Sequence, residues 1–343
     1  MMKKPAFISS LLLIYHIFCG LSAFAQQELR KVTARRGDGI EKILRENGLD
    51  PGIYSKQFID LNSDKIGKNK ALFAGEKYLL PGGESVANSS DEELSSNTVT
   101  RNYSIFGNKY SKVEIKYNDL EGAVYYLVSG HGGPDPGATA RHGNYTLAED
   151  EYAYDVTLRL ARNLIEHGAL VYMVTRDEND GIRDQAILPV DSDERSYPSE
   201  KIPVNQTARL RQRADAVNRL YSKYRGRYQR VVIIHLDSRS RSENIDVFFY
   251  YHSGSRSGKK LAGLLQDTFR EKYMKYQPGR SYYGSVSARN GLWVIRNTHP
   301  PAVFIELGNM RNSRDQQRFL VYDNRQALSN WICEGMIKDY KSR

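Results

Sequence analysis

The chain has 343 residues, of which 40% are hydrophobic and 26% charged, and carries a formal net charge of +10. That balance excludes a disordered or fibrous chain and has room for one medium domain plus a small one. Only Cys19 and Cys333 are present, so neither a disulfide framework nor a thiolate metal cluster is expected.

Residues 1–25 read as a secretory signal peptide. Lys3 and Lys4 supply a basic start, residues 7–18 a short apolar core, and Ala23-Phe24-Ala25 a small-residue end. Cleavage would remove Cys19, leave Cys333 alone, and lower the net charge from +10 to +8. No other stretch is expected to span a membrane. The positive surplus then fits an anionic polymer outside the cytoplasm, such as cell wall, and nucleic acid is not an expected partner.

Residues 30–82 predict a β-α-α-β unit. Lys31-Val32-Thr33-Ala34 reads as a short strand, and Gly37-Asp38-Gly39 as a turn. Ile40, Ile43 and Leu44 recur at helical spacing, a second helix carries Phe58, Ile59 and Leu61, and residues 76–80 read as a strand stopped by Pro81. Residues 83–101 are rich in Ser, Asn, Glu and Gly and predict a flexible linker. The alternation over 103–118 around Gly107-Asn108 predicts a hairpin that could cover a sheet edge.

From residue 123 the pattern alternates strand and helix. Strands are expected near 123–129, 169–174, 231–235, 245–251 and 302–306. Helices are expected over 149–167, 208–221 and 259–273, with two more within 315–340. The expected fold is α/β, a mostly parallel twisted sheet flanked by helices.

Three strands place reactive side chains at their carboxyl ends, where ligands bind in such sheets. Ser129 is followed by Gly130-His131-Gly132-Gly133, Ile234 by His235, and Ile305 by Glu306. Two imidazoles and a carboxylate so placed point to a zinc hydrolase, which needs three protein ligands and one open position. His142, His167, His252 and His299 stand in weaker contexts. A third ligand is expected near His131. Glu149-Asp150-Glu151 open the next helix, although the macrodipole alone favours acids there, and spacing does not choose among the three.

Two resemblances extend this reading. Residues 30–82 resemble a LysM domain through Val32, Gly37-Asp38, Leu61-Asn62, Gly75 and Leu79-x-Pro81, although Gly39 stands where Thr or Ser is usual. That resemblance implies binding to the N-acetylglucosamine-containing glycan of peptidoglycan.

Residues 121–340 resemble zinc-dependent N-acetylmuramoyl-L-alanine amidases of the Amidase_3 type. The carrying pieces are Gly130-His131-Gly132-Gly133-x-Asp135-Pro136-Gly137-Ala138, Thr175-Arg176-Asp177, Arg213-x-x-Ala216-x-Asn218, Ile234-His235, and Pro301-Ala302-Val303-Phe304-Ile305-Glu306-Leu307-Gly308-x-x-x-Asn312. The resemblance implies one zinc (Zn2+) per chain, with His131 and His235 as ligands. Counting back from Gly168 places the ligand glutamate on Glu149, with Glu151 as the alternative if the helix start has slipped. Glu306 falls on the family's catalytic acid/base.

The implied activity is cleavage of the amide between N-acetylmuramic acid and L-alanine of the stem peptide. The setting is periplasmic or secreted, the partners are glycan chains and stem peptides, and an activating envelope protein is a further expected partner. The alternatives are a zinc peptidase or carboxypeptidase acting within the stem, and a non-catalytic wall-binding protein. Asp237 after His235, Asn309 after Leu-Gly, and a long polar insertion at 178–207 depart from the family pattern. The domain plan is therefore a 1–25 leader, a 30–82 binding domain, an 83–101 linker and a 102–343 catalytic domain.

Overall fold

A computed structural model describes residues 31–47, 49, 51–81 and 99–343. The expected leader and residues 83–98 of the expected linker lie outside the described residues. The chain divides into two compact units, residues 1–94 and 95–343.

In the first unit, β1 (Lys31–Thr33), α1 (Ile40–Glu46), α2 (Pro51–Leu61) and β2 (Lys77–Leu79) follow the expected β-α-α-β order. β1 and β2 pair antiparallel, Lys31 opposite Leu79. Ile40, Ile43, Leu44, Phe58 and Tyr78 form the core. Buried Asn62 fastens α2 to β2: its Nδ2 donates to the carbonyls of Phe58 and Leu79, and its Oδ1 accepts from Leu79 N–H. A buried side-chain amide is stabilising only when its groups are paired in this way.

The second unit begins with β3 (Thr100–Asn102), the one-turn α3 (Gly107–Tyr110) and β4 (Lys112–Glu114). β3 and β4 pair antiparallel, but Gly107-Asn108 start a helical turn instead of a tight hairpin turn. Phe106 is buried there, and its carbonyl accepts from Ile182 N–H. The segment thus covers the 178–207 insertion and pairs with neither edge of the main sheet, a correction to the expected edge cover.

The remaining elements are β5 (Ala123–Ser129), the hairpin β6 (Thr139–His142) and β7 (Tyr145–Ala148), α4 (Glu149–Glu166), β8 (Leu170–Met173) and β9 (Thr175–Arg176). Next come β10 (Arg195–Ser196), β11 (Glu200–Lys201), α5 (Gln206–Lys223), β12 (Tyr228–Asp237), β13 (Phe248–Tyr251) and α6 (Arg256–Tyr276). The chain continues through β14 (Ser285–Ala288), α7 (Trp293–Asn297), β15 (Ala302–Asn309), α8 (Ser313–Leu320) and α9 (Tyr322–Lys341).

The main sheet has the order β14-β13-β15-β12-β5-β8. β8, β5, β12 and β15 are parallel, whereas β13 runs antiparallel to β15 and parallel to β14. The fold is therefore α/β with a mixed sheet whose central strands are parallel.

Alternation along the strands divides the core between two faces. Tyr125, Leu127, Val232, Ile234, Val303 and Ile305 pack against α4, α6 and α9. Val124, Tyr126, Val231, Ile233, Ala302 and Phe304 pack against α5 and α7. With both faces covered, these strands read as nearly continuous apolar runs, and only their ends are free to carry polar chemistry.

Candidate metal centre

The turn after β5 is shaped by its glycines. A Cβ on Gly130 would strike the imidazole of His235, and one on Gly137 would lie 2.6 Å from the His131 ring and 2.7 Å from Glu149 Oε2. His131 itself has φ 63°, a left-handed conformation that costs energy in a residue with a side chain. Surrounding bonds hold it there: Gly130 N–H donates to Ile234 O at 2.7 Å, Gly132 N–H donates to Asp135 O at 2.8 Å, and Arg213 donates to the His131 carbonyl.

The sheet and α4 then bring three side chains together. His235 follows the last β12 residue paired with β5, two residues before that strand ends, and Glu149 is the first residue of α4. One donor atom from each of His131, Glu149 and His235 lies within 4.8 Å of the others. His131 Nε2 is 3.3 Å from Glu149 Oε2, and His235 Nδ1 is 2.8 Å from Glu149 Oε1. Backbone N–H groups of Ala138 and Leu236 also donate to the two Glu149 oxygens, at 2.9 and 3.0 Å. The other nitrogen of His131, Nδ1, pairs with Asp135 Oδ2 at 2.9 Å. Asp135 is in turn held by Arg209 at 2.6 Å and by Gly137 N–H. The His235 ring stacks on Phe304 with centroids 4.3 Å apart.

This nitrogen, nitrogen and oxygen set, with its carboxylate-supported imidazole, has the chemistry of a zinc site with an open position. The three donor atoms lie close enough together to serve one metal ion.

Electrostatics follow from burial and neighbours. Burial opposes the charge of Glu149, but both imidazoles hold its carboxyl well below the usual range. Burial also disfavours a charged His131, yet the bonded carboxylates of Asp135 and Glu149 outweigh it and raise the ring to about 9. Burial prevails at His235 and lowers it. Arg213, buried, is drawn down to about 10 by burial.

Glu306 is the register partner of His235 on the adjacent strand β15. Its Oε2 is buried without a hydrogen-bond partner among the described residues. Burial, then the charges of Glu149 and Asp237, push its carboxyl well above the usual range. Among the described residues it forms no ion pair with Arg296 or Arg311. Asp237, the unusual charge after His235, is paired with Arg239 at 2.7 Å.

Glu151 faces elsewhere. It binds Arg183 at 2.9 Å and accepts from Asp191 N–H at 3.0 Å, both in the 178–207 insertion. The insertion is not a solvated loop. It buries Ile182, Leu188 and Ile202, and β10 pairs with β9 and β11. Glu194 accepts from Gly133 N–H at 2.6 Å, which ties the insertion to the His131 turn. Glu194 is pushed up to about 7 and Asp150 to about 8, in each case chiefly by burial and then by neighbouring carboxylates.

Two cavities flank this region. One, about 250 Å³, holds both imidazoles among Val128, Leu210, Ile233, Trp293 and Phe304. The other, about 590 Å³, is lined by Arg141, Arg239, Arg241 and Arg311 with Thr, Ser and Gln side chains.

The structure thus groups His131, Glu149 and His235, places Glu306 beside them, and directs Glu151 away. Sequence reading missed Arg209, although its position four residues before Arg213, on one face of α5, was an available signal. It also missed Phe304, whose signal was its place two residues before Glu306 on the same side of the strand.

Comparison with known proteins gives concordant results. Residues 126–338 match the family described as N-acetylmuramoyl-L-alanine amidase, Amidase_3. The chain is 26% identical over 220 residues to the probable cell wall amidase LytH of Staphylococcus aureus, covering 64% of this chain and 59% of that protein. It therefore spans less than two thirds of the curated relatives it matches. Among solved structures, the CwlD amidase of Clostridioides difficile, determined in complex with the GerS lipoprotein, is 18% identical with a TM-score of 0.49, over 64% of this chain and 99% of that one. AmiC2 of Nostoc punctiforme is 19% identical with a TM-score of 0.46, over 65% and 99%. Since the family match extends over more than half of the chain, this chain belongs to the Amidase_3 family of N-acetylmuramoyl-L-alanine amidases.

Proposed function

We propose that the chain is a zinc-dependent peptidoglycan hydrolase of the cell envelope that cleaves the amide joining the lactyl group of N-acetylmuramic acid to L-alanine. The observation that carries this reading is the convergence of His131, Glu149 and His235 beside the unpartnered carboxyl of Glu306.

His131, Glu149 and His235 would hold the zinc. Bound there, the ion supplies Lewis acidity, polarising a carbonyl and lowering the pKa of water toward ~7. Glu306 accepts the proton of the attacking water on a carboxyl oxygen and delivers it to the leaving L-alanine nitrogen as the carbonyl–nitrogen bond breaks. Asp135 fixes the ring of His131, and Arg209 and Arg213 hold Asp135 and the His131 backbone in place. Residues 30–82, in this reading, bind the glycan as a LysM domain. The leader expected at 1–25 delivers the protein outside the cytoplasm. Among the described residues, no helix is long and apolar enough to cross a membrane.

Digestion of sacculi with the purified protein, followed by mass spectrometry, tests this reading. Intact stem peptides with a free L-alanine amino terminus are expected. Products cut within the stem would replace it with a peptidase.

A further inference from the structure

Arginines gather at the carboxyl end of the main sheet, on segments that continue from the metal-centre residues. Arg239 lies four residues beyond His235, and Arg311 five beyond Glu306. Arg141 belongs to β6, whose first residue, Thr139, pairs with Ala148 immediately before Glu149. These side chains and Arg241 line the cavity of about 590 Å³, and no Asp or Glu lines it. Its volume lies within the ~300–1,000 Å³ of ligand pockets.

The cavity is built. Asn309 Nδ2 donates to the carbonyls of Ser240 and Glu243, and its Oδ1 accepts from the N–H groups of Arg239 and Arg311. Asn312 Nδ2 donates to Arg241 O at 2.8 Å. Two asparagines thus fix the loops that present the arginines.

The guanidinium groups differ in their partners. Arg239 is neutralised by Asp237 and Glu243, and Arg141 bonds Thr146. Arg241 and Arg311 are exposed and make no side-chain hydrogen bond or ion pair among the described residues. Their charge is therefore available to an anionic ligand, and guanidinium suits a carboxylate through paired N–H···O bonds.

We propose that this cavity is the subsite for the stem peptide and that Arg241 and Arg311 select stems with free carboxylates beyond L-alanine. The proposal rests on the amidase reading above. N-acetylated sugars are uncharged, so arginines gain little from the glycan, whereas the stem carries the substrate's carboxylates. The smaller cavity, which both imidazoles line, also holds two arginines, but those are already engaged, Arg209 by Asp135 and Arg213 by the His131 carbonyl.

The test uses the zinc-loaded full chain and muramyl tripeptides whose side-chain and terminal carboxylates are either free or amidated. The parent should favour the free acid at least ~5-fold in kcat/KM. R241A/R311A should raise KM for the free acid at least ~10-fold, with kcat moving less than ~3-fold, and bring the preference near 1. R225A removes one charge from the turn before β12, at the opposite end of that strand, and should retain the preference. A parent without preference, or a double variant that keeps it, overturns the proposal.

Calorimetric titration with the free tripeptide decides the subsite separately from turnover. Binding at least ~10-fold weaker in R241A/R311A, about 1.4 kcal/mol, supports it. Equal binding, no binding by the parent, or equally effective competition by inorganic phosphate overturns it. A parent that binds the tripeptide but releases no stem from any substrate refutes the amidase reading and leaves the binding result to stand.

Discussion

His235 and Glu306 face each other as register partners on adjacent parallel strands, β12 and β15. The pairing sets an imidazole drawn toward Glu149 next to a carboxyl that forms no ion pair among the described residues. One strand end would hold the metal, and its neighbour would move the proton. A one-residue slip in register would put the two side chains on opposite faces of the sheet, so the parallel ladder itself fixes the site.

The metal assignment is tested by separating Glu149 from Glu151. H131A, H235A and E149A should each contain less than ~10% of the parent's zinc by elemental analysis. E151A should retain zinc but unfold at lower temperature, because Arg183 keeps Asp180 but loses its buried partner, and Asp191 N–H loses its acceptor. A lost hydrogen bond to a charged group typically costs ~1.5–3 kcal/mol. Zinc loss in E151A with retention in E149A would shift the ligand by two residues.

Glu306→Gln preserves shape and removes the proton acceptor. Turnover should fall at least ~10²-fold, with zinc content and the circular dichroism spectrum retained. Activity within a few-fold of the parent would exclude Glu306 as the general base. In chelator-treated protein, E306Q should gain stability over the parent as pH rises. Its carboxyl is held above its unfolded value, so the parent loses stability once that group must ionise.

How much of this was legible in the sequence follows from which residues depend on local pattern. The placement of His131, His235 and Glu306 toward the carboxyl ends of buried strands was legible from the apolar runs before them, although β12 and β15 continue to Asp237 and Asn309. Spacing alone did not separate Glu149 from Glu151, because both occupy the first turn of α4, and only the count back from Gly168 favoured Glu149. Only the distant Arg183 and Asp191 draw Glu151 away.

The insertion was visible as polar and long, yet its burial was not. Ile182, Leu188 and Ile202 are too widely spaced to give a period. β14 and the 139–148 hairpin were missed because they are four-residue strands whose pairing is set by neighbours and not by alternation.

Glu194 makes stability depend on pH. Its folded pKa is about 7, above the ordinary glutamate value, through burial and the nearby Glu151 and Asp191 charges. Between about pH 4.5 and 7 the folded state binds more protons than the unfolded state, so stability falls as pH rises through this window. Glu194→Gln carries no such proton and should remove roughly 1–3 kcal/mol of the stability change across this window. Denaturant unfolding at half-unit pH steps measures this. Parallel parent and variant slopes would show that another group titrates; Asp150, raised to about 8, would be the next to replace.

Removing residues 26–98 should separate binding from hydrolysis. The first unit has its own core around Ile43, Leu44, Phe58 and Tyr78, closed by Asn62 between α2 and β2. The second unit carries the whole metal centre and has its own core on both faces of the main sheet. The shortened chain should therefore keep zinc and hydrolyse soluble muramyl peptides within ~3-fold of the parent. It should pellet with sacculi at least ~5-fold less. The truncated chain still carries surplus Lys and Arg, so the comparison belongs at ~0.3 M salt, where the Debye length falls to roughly 5–6 Å and exposed charges are largely screened. Undiminished pelleting there would show that residues 30–82 do not bind the wall. A restored defect on fusing 30–82 back through an unrelated Gly/Ser linker would locate the binding in that unit and not in the linker.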